Sequence, residues 1–461
     1  MPELPEVETV ARLLAPEIMG TRILSLTCFR ETNVENPYTE FEKGVIGKTF
    51  IGVRRRAKFL IFELSPNGYI LSHLRMEGRY FFEEDCAPSR KHDILYYHLS
   101  NGHRLVYCDT RKFGRIAYFG DKASLEKALE KLGPEPFSLS AEEFHKRLSP
   151  IRKPIKEAIM DQSVIAGIGN IYADESLFSS KIHPLTKASS LSEEECARLL
   201  ASIQRILQEA ISLGGSTVKS YHPKEGISGR MQNELLAYGK SDSPCPRCGA
   251  KLSRITLNGR GTTYCPLCQK EKGKSYVVGV LGPIHSGKST ISSFLVGKGY
   301  LLFDADKEAK KLYSLKSVKE KVAKLFPGCL HEDGVIDFKA IRDSIAEDPS
   351  KKRSLNRVIF PLIKRKARNF ILKSPQNSNI VLDVPLLFEA DMGGLCDLTI
   401  LVTASPSLQR KRLEEEGRDA DALLSLNADY PLGEAKKKAS LIIENKGSLE
   451  ELKEKIGELF Q

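Results

Sequence analysis

Pro2 and Glu3 put an imino acid and a carboxylate at the start of the chain. Trimming Met1 ahead of a small residue leaves a secondary amine as the N-terminus. Such an amine attacks a sugar carbon and becomes an iminium, with a neighbouring carboxyl to supply a proton. Most terminal prolines are only surface residues, so the dipeptide gains weight only from the rest of the chain. Cys245, Cys248, Cys265 and Cys268 form two tight pairs, the spacing of two knuckles that close one tetrahedron around a zinc ion. Four thiolates leave no open position, so that metal is expected to be structural. Between the pairs runs Asn258-Gly259-Arg260-Gly261, a tip where backbone approaches phosphate closely; taken alone, Arg260 is a solvated loop charge. A third constellation, Gly282-x4-Gly287-Lys288-Ser289, has the spacing of a phosphate-binding loop. Ile284, His285, Ser286 and Gly287 would wrap the phosphates, Lys288 would reach the outer ones, and Ser289 would hold Mg²⁺.

These groups need elements to position them, and 461 residues exceed what one hydrophobic core holds. Residues 1 to about 120 read mainly as strands, among them Phe50–Val53, Phe59–Leu64, Tyr69–Leu74, Ile94–Leu99 and Ile116–Phe119, broken by Pro66-Asn67-Gly68 and Asn101-Gly102. From Ser140 to Leu213 the pattern is helical. Ser192-Glu193-Glu194-Glu195 opens a long helix that stops at Gly214-Gly215. From Tyr276 a buried-strand run leads into the phosphate loop and a helix, and the strand runs Ile380–Val384 and Leu398–Val402 alternate with helical stretches, as in a parallel α/β domain. The expected domains are 1–135 (β-rich), 136–239 (helical), 240–270 (zinc unit) and 276–461 (α/β), with 271–275 as a linker. No apolar run reaches about 18 residues, and six further cysteines are scattered; both point to a soluble cytoplasmic chain with a metal clip rather than disulfides. The formal charge of +11 suits a polyanionic partner but does not establish one.

Pro2-Glu3-Leu4-Pro5-Glu6-Val7-Glu8-Thr9, Ala166-Gly167-Ile168-Gly169-Asn170-Ile171-Tyr172 and the four-cysteine unit resemble the formamidopyrimidine-DNA glycosylase family over residues 2 to 269. The resemblance implies a β-sandwich lobe, a helix-two-turn-helix lobe and a zinc finger acting on double-stranded DNA with oxidised purines or abasic sites. It implies excision of the base and a nick by β,δ-elimination. Pro2 would attack C1′, Glu3 would protonate the ring oxygen, Lys58 would serve β-elimination and Arg260 δ-elimination. Extruding the nucleotide leaves a gap to be filled, for which Met76, Arg111 and Phe113 match the family's wedge; His92, Arg152, Lys156 and Asn170 match phosphate-contacting positions. Arg75 stands where the family often has glycine. A sister group, the endonuclease VIII type, shares Pro-Glu and prefers oxidised pyrimidines.

Phe303-Asp304-Ala305-Asp306, Glu332-Asp333-Gly334-Val335-Ile336-Asp337, Val384-Pro385-Leu386-Leu387-Phe388-Glu389 and Ala428-Asp429 resemble the dephospho-CoA kinase family over residues 276 to 460. That family moves the ATP γ-phosphate onto the ribose 3′-hydroxyl of dephospho-CoA. Asp304 would orient or deprotonate this hydroxyl, and Arg412 and Arg418 would cover the phosphoryl group from a lid; the lesser reading of Asp304 is a helix cap or a water-mediated Mg²⁺ ligand. Three departures stand out. Gly-Gly-Ile-Gly is Gly282-Pro283-Ile284-His285, His-Pro is Phe360-Pro361, and Asn427 replaces Gln. The expectation is a bifunctional enzyme; the rival is a DNA-binding zinc protein with a degenerate nucleotide sensor.

Overall fold

The computed structural model describes every residue except 1, 217–229, 332–333, 349, 422, 425–429 and 461. Met1, the Glu332-Asp333 pair, Asn427 and the Ala428-Asp429 step therefore lie outside the described residues. The chain forms two compact units, Met1–Lys240 with Arg254–Tyr264, and Ser241–Ser253 with Cys265–Gln461.

The first unit opens on a helix, Leu4–Ile18, ahead of the expected strands. Pro5 sits in its first turn, where a missing N–H costs nothing, and Glu6 reaches back to accept the Glu3 N–H at 2.9 Å. Leu4, Val7, Val10, Ala11, Leu14 and Ile18 recur at helical spacing and are buried. Eight strands come next: β1 (Ile23–Cys28), β2 (Thr49–Arg56), β3 (Phe59–Ser65), β4 (Tyr69–His73), β5 (Gly78–Glu84), β6 (Asp93–Leu99), β7 (His103–Asp109) and β8 (Arg115–Phe119). They make two antiparallel sheets, ordered β1-β6-β7-β5 and β2-β3-β4-β8. Edge-to-face pairs such as Phe50 with Tyr97 and Phe62 with Tyr80 fill the space between them. Behind this sandwich a helical lobe packs around the 20-residue helix Glu193–Ser212. Its start is the capping box read from the sequence, with Ser192 Oγ accepting from Glu195 N at 3.2 Å and Glu195 accepting from Ser192 N at 2.8 Å. The hairpin of β9 (Ser253–Leu257) and β10 (Arg260–Tyr264) completes the unit through Arg254–Tyr264.

The second unit carries a five-stranded parallel sheet of β11 (Tyr276–Leu281), β12 (Leu301–Asp304), β13 (Asn379–Asp383), β14 (Leu398–Thr403) and β15 (Leu441–Glu444). Its order is β12-β13-β11-β14-β15, so strand order reverses at β11 and the loop after it opens at the switch point, where ligands bind in such sheets. Pro361 stands inside the helix Ser350–Lys373, and Phe360 packs against the core of this unit.

The zinc knuckles belong to this second unit. Lys251 donates its backbone N–H to the Ser440 carbonyl at 2.6 Å. Its ammonium donates to the carbonyls of Lys436 and Lys437 at 3.0 and 2.8 Å, the end of the helix Leu432–Lys438, where a cation meets unpaired carbonyls and the negative pole of the helix. The Tyr276 hydroxyl donates to Pro266 O at 2.9 Å. Residues 271–275 thus connect parts of one compact unit.

Candidate active sites

In the first unit the chain start is pinned to the loop before the helix Asn170–Ser179. Pro2 is buried, and Leu4 N donates to Gly167 O at 3.0 Å. The Glu3 side chain lies on the N-terminus of that helix, with Oε2 accepting from Gly169 N at 2.6 Å and Oε1 from Ile171 N at 2.9 Å. Free N–H groups and the helix dipole favour a carboxylate there. Burial dominates nonetheless and raises the Glu3 pKa, against the lowering pull of Lys58 and the two N–H groups. Lys58, also buried, donates to Ile168 O at 2.7 Å. Burial lowers its pKa, Glu3 opposes that, and the Arg260 charge adds to it. The pair is therefore a carboxyl that keeps its proton more readily and an amine that gives one up more readily, next to Pro2.

Gly169 is essential to this packing: a Cβ there would lie 2.3 Å from Glu3 Cδ. Gly169→Ala is expected to fold but to push the carboxyl aside, lowering by about 100-fold the rate of any step in which Glu3 hands on its proton, as a displacement of about 1 Å does at a reacting centre. Single-turnover kinetics would measure it.

Asn258 and Gly259 have φ of 47° and 71°, the two-residue turn that suits the twist of a hairpin, and Arg260 begins the return strand, exposed. Lys156 and Asn170, both expected to contact phosphate, hydrogen-bond to this hairpin. Lys156 is 1% exposed; its ammonium pairs with Asp174 at 2.7 Å and donates to Thr262 Oγ1 at 2.8 Å and Gly261 O at 3.3 Å. Asn170 Nδ2 donates to Gly261 O at 3.2 Å. The cause is Asp174, itself 1% exposed, which needs a counter-charge and also accepts the Thr263 N–H at 3.1 Å. Arg152 is exposed and His92 half-buried.

Met76 and Phe113 are 40% and 50% exposed, unusual for large apolar side chains, and the Arg111 guanidinium lies over the Phe113 ring at 4.9 Å. Their loops are held from below by residues that motif reading passes over. Buried Asp109 accepts from Arg111 N at 2.9 Å and Gly114 N at 2.8 Å, and buried Asn33 donates to Gly114 O at 2.7 Å. The Thr110 hydroxyl donates to the Glu77 carboxylate, tying the two loops together. An Asp ending a strand just before a turn is a signal for such an anchor. Arg75 has φ 52°, so it adopts the left-handed conformation glycine would take, and its N–H donates to His73 Nδ1 at 2.9 Å.

The four cysteine sulfurs all lie within 4.8 Å of one another, with Cys248 to Cys265 at 3.4 Å and Cys245 to Cys268 at 4.0 Å. These bracket the edge of about 3.8 Å of a tetrahedron with Zn–S bonds of about 2.3 Å. The donor set fits one closed zinc site. Cys248→Ser is expected to release the metal and to loosen the Lys251 contacts. A loss of about 3 kcal/mol would lower the second unit's thermal midpoint by roughly 6–12 °C, to be read by calorimetry beside metal analysis.

In the second unit a cavity of about 810 Å³ gathers Ile284, His285, Gly287, Lys288, Ser289, Asp304, Arg412 and Arg418. Ser286 lies beneath it, fully buried, its carbonyl accepting from Asn445 Nδ2 at 3.0 Å. Gly282 and Gly287 have φ of 145° and 109°, and a Cβ on Gly282 would stand 2.2 Å from Val402 O, so the loop requires both glycines. Lys288 donates to Pro283 O at 2.7 Å; burial lowers its pKa, and Asp383 and Asp306 oppose this. Asp304 ends β12 and caps the next helix, accepting from Lys307 N at 2.9 Å, while still lining the cavity. Its register partner across the sheet is Asp383. Asp383 accepts from Ser292 Oγ at 2.8 Å, and burial raises the pKa of both Asp383 and Asp306. Asp383 was not among the expected site residues; the signal was a buried strand, Ile380-Val381-Leu382, running into an Asp, the pattern of the carboxylate that helps hold Mg²⁺ in phosphate-loop enzymes.

Comparison with known proteins finds four family models along the chain. The formamidopyrimidine-DNA glycosylase N-terminal domain matches residues 1–116 and its H2TH domain residues 132–222. A zinc finger found in FPG and IleRS matches 242–270, and dephospho-CoA kinase matches 276–451. The formamidopyrimidine-DNA glycosylases of Lactococcus lactis subsp. cremoris and of Bacillus subtilis (strain 168) are each 42% identical, over 275 and 281 residues, covering 59% of this chain and all of the relative. Among solved structures, a complex of Lactococcus lactis Fpg with abasic-site DNA aligns at TM-score 0.55 and 41% identity, over 58% of this chain and all of that one. MutM bound to DNA containing carbocyclic 8-oxo-G aligns at 0.56 and 42%, over 59% of this chain and all of that one.

Proposed function

Because the chain belongs to the formamidopyrimidine-DNA glycosylase family through its first 270 residues and carries a dephospho-CoA kinase domain behind them, we propose that it excises oxidised purines and nicks the strand in one unit and makes CoA in the other. Relatives solved with abasic-site and 8-oxo-G DNA support the choice of substrate.

The observation that carries the first activity is the Glu3 carboxyl, raised in pKa and held on a helix N-terminus beside Lys58. The Pro2 nitrogen bonds to C1′ as the base departs, and Glu3 protonates the ring oxygen as the sugar opens to an iminium. That cation makes the C2′ proton acidic; Lys58, lowered in pKa, accepts it, and the 3′ phosphate leaves. Loss of the 5′ phosphate follows, with Arg260 on its hairpin to neutralise the departing charge. Met76, Arg111 and Phe113 fill the space of the extruded nucleotide.

For the second activity the carrying observation is the cavity that joins Lys288, Asp304, Arg412 and Arg418. Lys288 holds the outer phosphates of ATP, Asp304 takes the proton of the ribose 3′-hydroxyl, and the two arginines neutralise the phosphoryl group in transit. Ser289 and Asp383 are the residues that would hold Mg²⁺, which when bound neutralises phosphate charge.

Borohydride trapping on a duplex with one 8-oxoguanine, and ATP-dependent conversion of dephospho-CoA to CoA, would test both halves in one preparation. No cross-link overturns the first half, and no CoA the second.

A further inference from the structure

The phosphate loop holds a histidine where the backbone least tolerates a side chain. His285 has φ 56°, at the place where loops of the resembled family have glycine. A non-glycine residue in this region costs about 1–3 kcal/mol and persists when its surroundings hold it there. The imidazole side chain is 15% exposed. Its Nε2 lies 3.3 Å from Arg418 Nη1 and its Nδ1 3.6 Å from Glu416 Oε1, while the His285 carbonyl accepts from Arg412 Nη1 at 3.2 Å.

The backbone at Arg418 is fixed from its own side too. Gly417 has φ 67° and donates to Glu414 O at 2.9 Å, and Arg418 N donates to Leu413 O at 2.9 Å. This is the left-handed glycine stop of the helix Pro406–Glu415. A guanidinium only donates, so Nε2 facing it must carry a lone pair, and Nδ1–H then points at Glu416. Only the neutral ring accepts from Arg418; the 3.6 Å separation from Glu416 is an ion-pair distance, too long for a hydrogen bond.

We propose that His285 is a positioning residue of the kinase: its neutral imidazole ties Arg418 to the phosphate loop and holds that arginine over the phosphoryl site, so acid releases it. The proposal rests on the kinase reading and turns an apparent flaw of the loop into a latch. Protonation would place an N–H against the guanidinium and leave only the Glu416 contact. The charged groups facing the ring are Glu416, Arg418, Lys288 and Arg412. Burial lowers its pKa most, Glu416 opposes this, and the three cations add to the lowering. The ring is thus neutral at pH 7, and the latch is lost as pH falls through that lowered value.

The test compares the full chain with His285→Asn and His285→Gly, measuring CoA formation from pH 5.5 to 8 at limiting and saturating ATP. Asparagine tolerates positive φ and accepts a hydrogen bond without titrating; glycine removes the strain and the ring together. Asp306 and Asp383 also gain protons in acid, so the reading is the ratio of variant to wild type. His285→Asn is expected to gain steadily on wild type as pH falls from 7 to 5.5, and His285→Gly to raise the KM for ATP about tenfold at pH 7.5. A constant ratio for His285→Asn, or a His285→Gly enzyme with unchanged KM and faster turnover, overturns the latch and makes the ring an obstruction. A wild-type chain that forms no CoA overturns the kinase reading, and the latch with it.

Discussion

Blocking the N-terminus is expected to reduce strand cleavage by at least about 1,000-fold, since a displacement of about 1 Å at a reacting centre already costs about 100-fold. Pro2→Leu does this by placing a bulky residue after Met1, so that the start methionine is retained. The terminal amine then lies one residue further out, about 3.8 Å along the chain, and residue 2 no longer has a free nitrogen. The amine's nature matters as much as its place. An α-amino group, with a pKa of about 7.7–8.0, is roughly one-seventh neutral at pH 7, against about 0.04% for an ordinary lysine. An iminium from a secondary amine has no N–H to lose, so it stays a cationic electron sink until the C2′ proton leaves. The expected result is no borohydride-trapped complex with 8-oxoguanine duplex and no incision, with CoA formation in the same preparation showing that the chain is folded. A Pro2→Leu chain that still traps DNA would move the nucleophile elsewhere, Lys58 being the buried amine next in line.

What the residues disclosed beforehand was the chemistry; what they concealed was its support. The cysteine pairs, the phosphate loop and the strand runs were legible because spacing constrains them: metal geometry, backbone approach to phosphate, and burial on two faces. The strand Tyr276–Leu281 begins at the residue where the buried-strand run begins, since a fully buried parallel strand is apolar throughout. The opening helix Leu4–Ile18 was not anticipated, because Pro5 and Pro16 break up its pattern. Nor could sequence show that Lys156 would turn inward to Asp174, a choice made by an acid in a different helix. Asn33 carries no motif, and its role is visible only once the loop it holds is placed, whereas Asp109 and Asp383 carry no more than the faint signal of an acid ending a strand. The glycine departures are the instructive case. Arg75 and His285 each stand where the resembled family has glycine, and both keep the left-handed backbone that glycine would take. Each is held by a partner, Arg75 through His73 and His285 through Arg412 and Arg418. Pairwise support of that kind leaves no mark on local sequence.

Lys288→Ala is expected to lower kcat/KM for ATP about 1,000-fold, at the upper end of what one preorganised donor contributes to a developing charge. Lys288 lies among Asp383, Asp306 and the loop carbonyl of Pro283, so its loss removes the cation nearest two carboxylates whose pKa burial already raises. Phosphate would then meet those carboxylates with one cation fewer to offset them, and ATP affinity should fall with turnover. Lys288→Arg is not expected to restore activity, since a planar fork cannot replace a point charge in a loop closed by Gly282 and Gly287. Titration calorimetry with ATP separates the two contributions, and coupled assay of CoA gives the rate. Trapping of DNA by the same variant should be unchanged, because Lys288 belongs to a compact unit different from that of Pro2, Glu3 and Lys58. The outcome discriminates the enzyme from a degenerate nucleotide sensor. A sensor would lose ATP binding in Lys288→Ala with no CoA formation to lose, whereas retained CoA formation would mean that the Gly282–Ser289 loop is not the phosphate cradle.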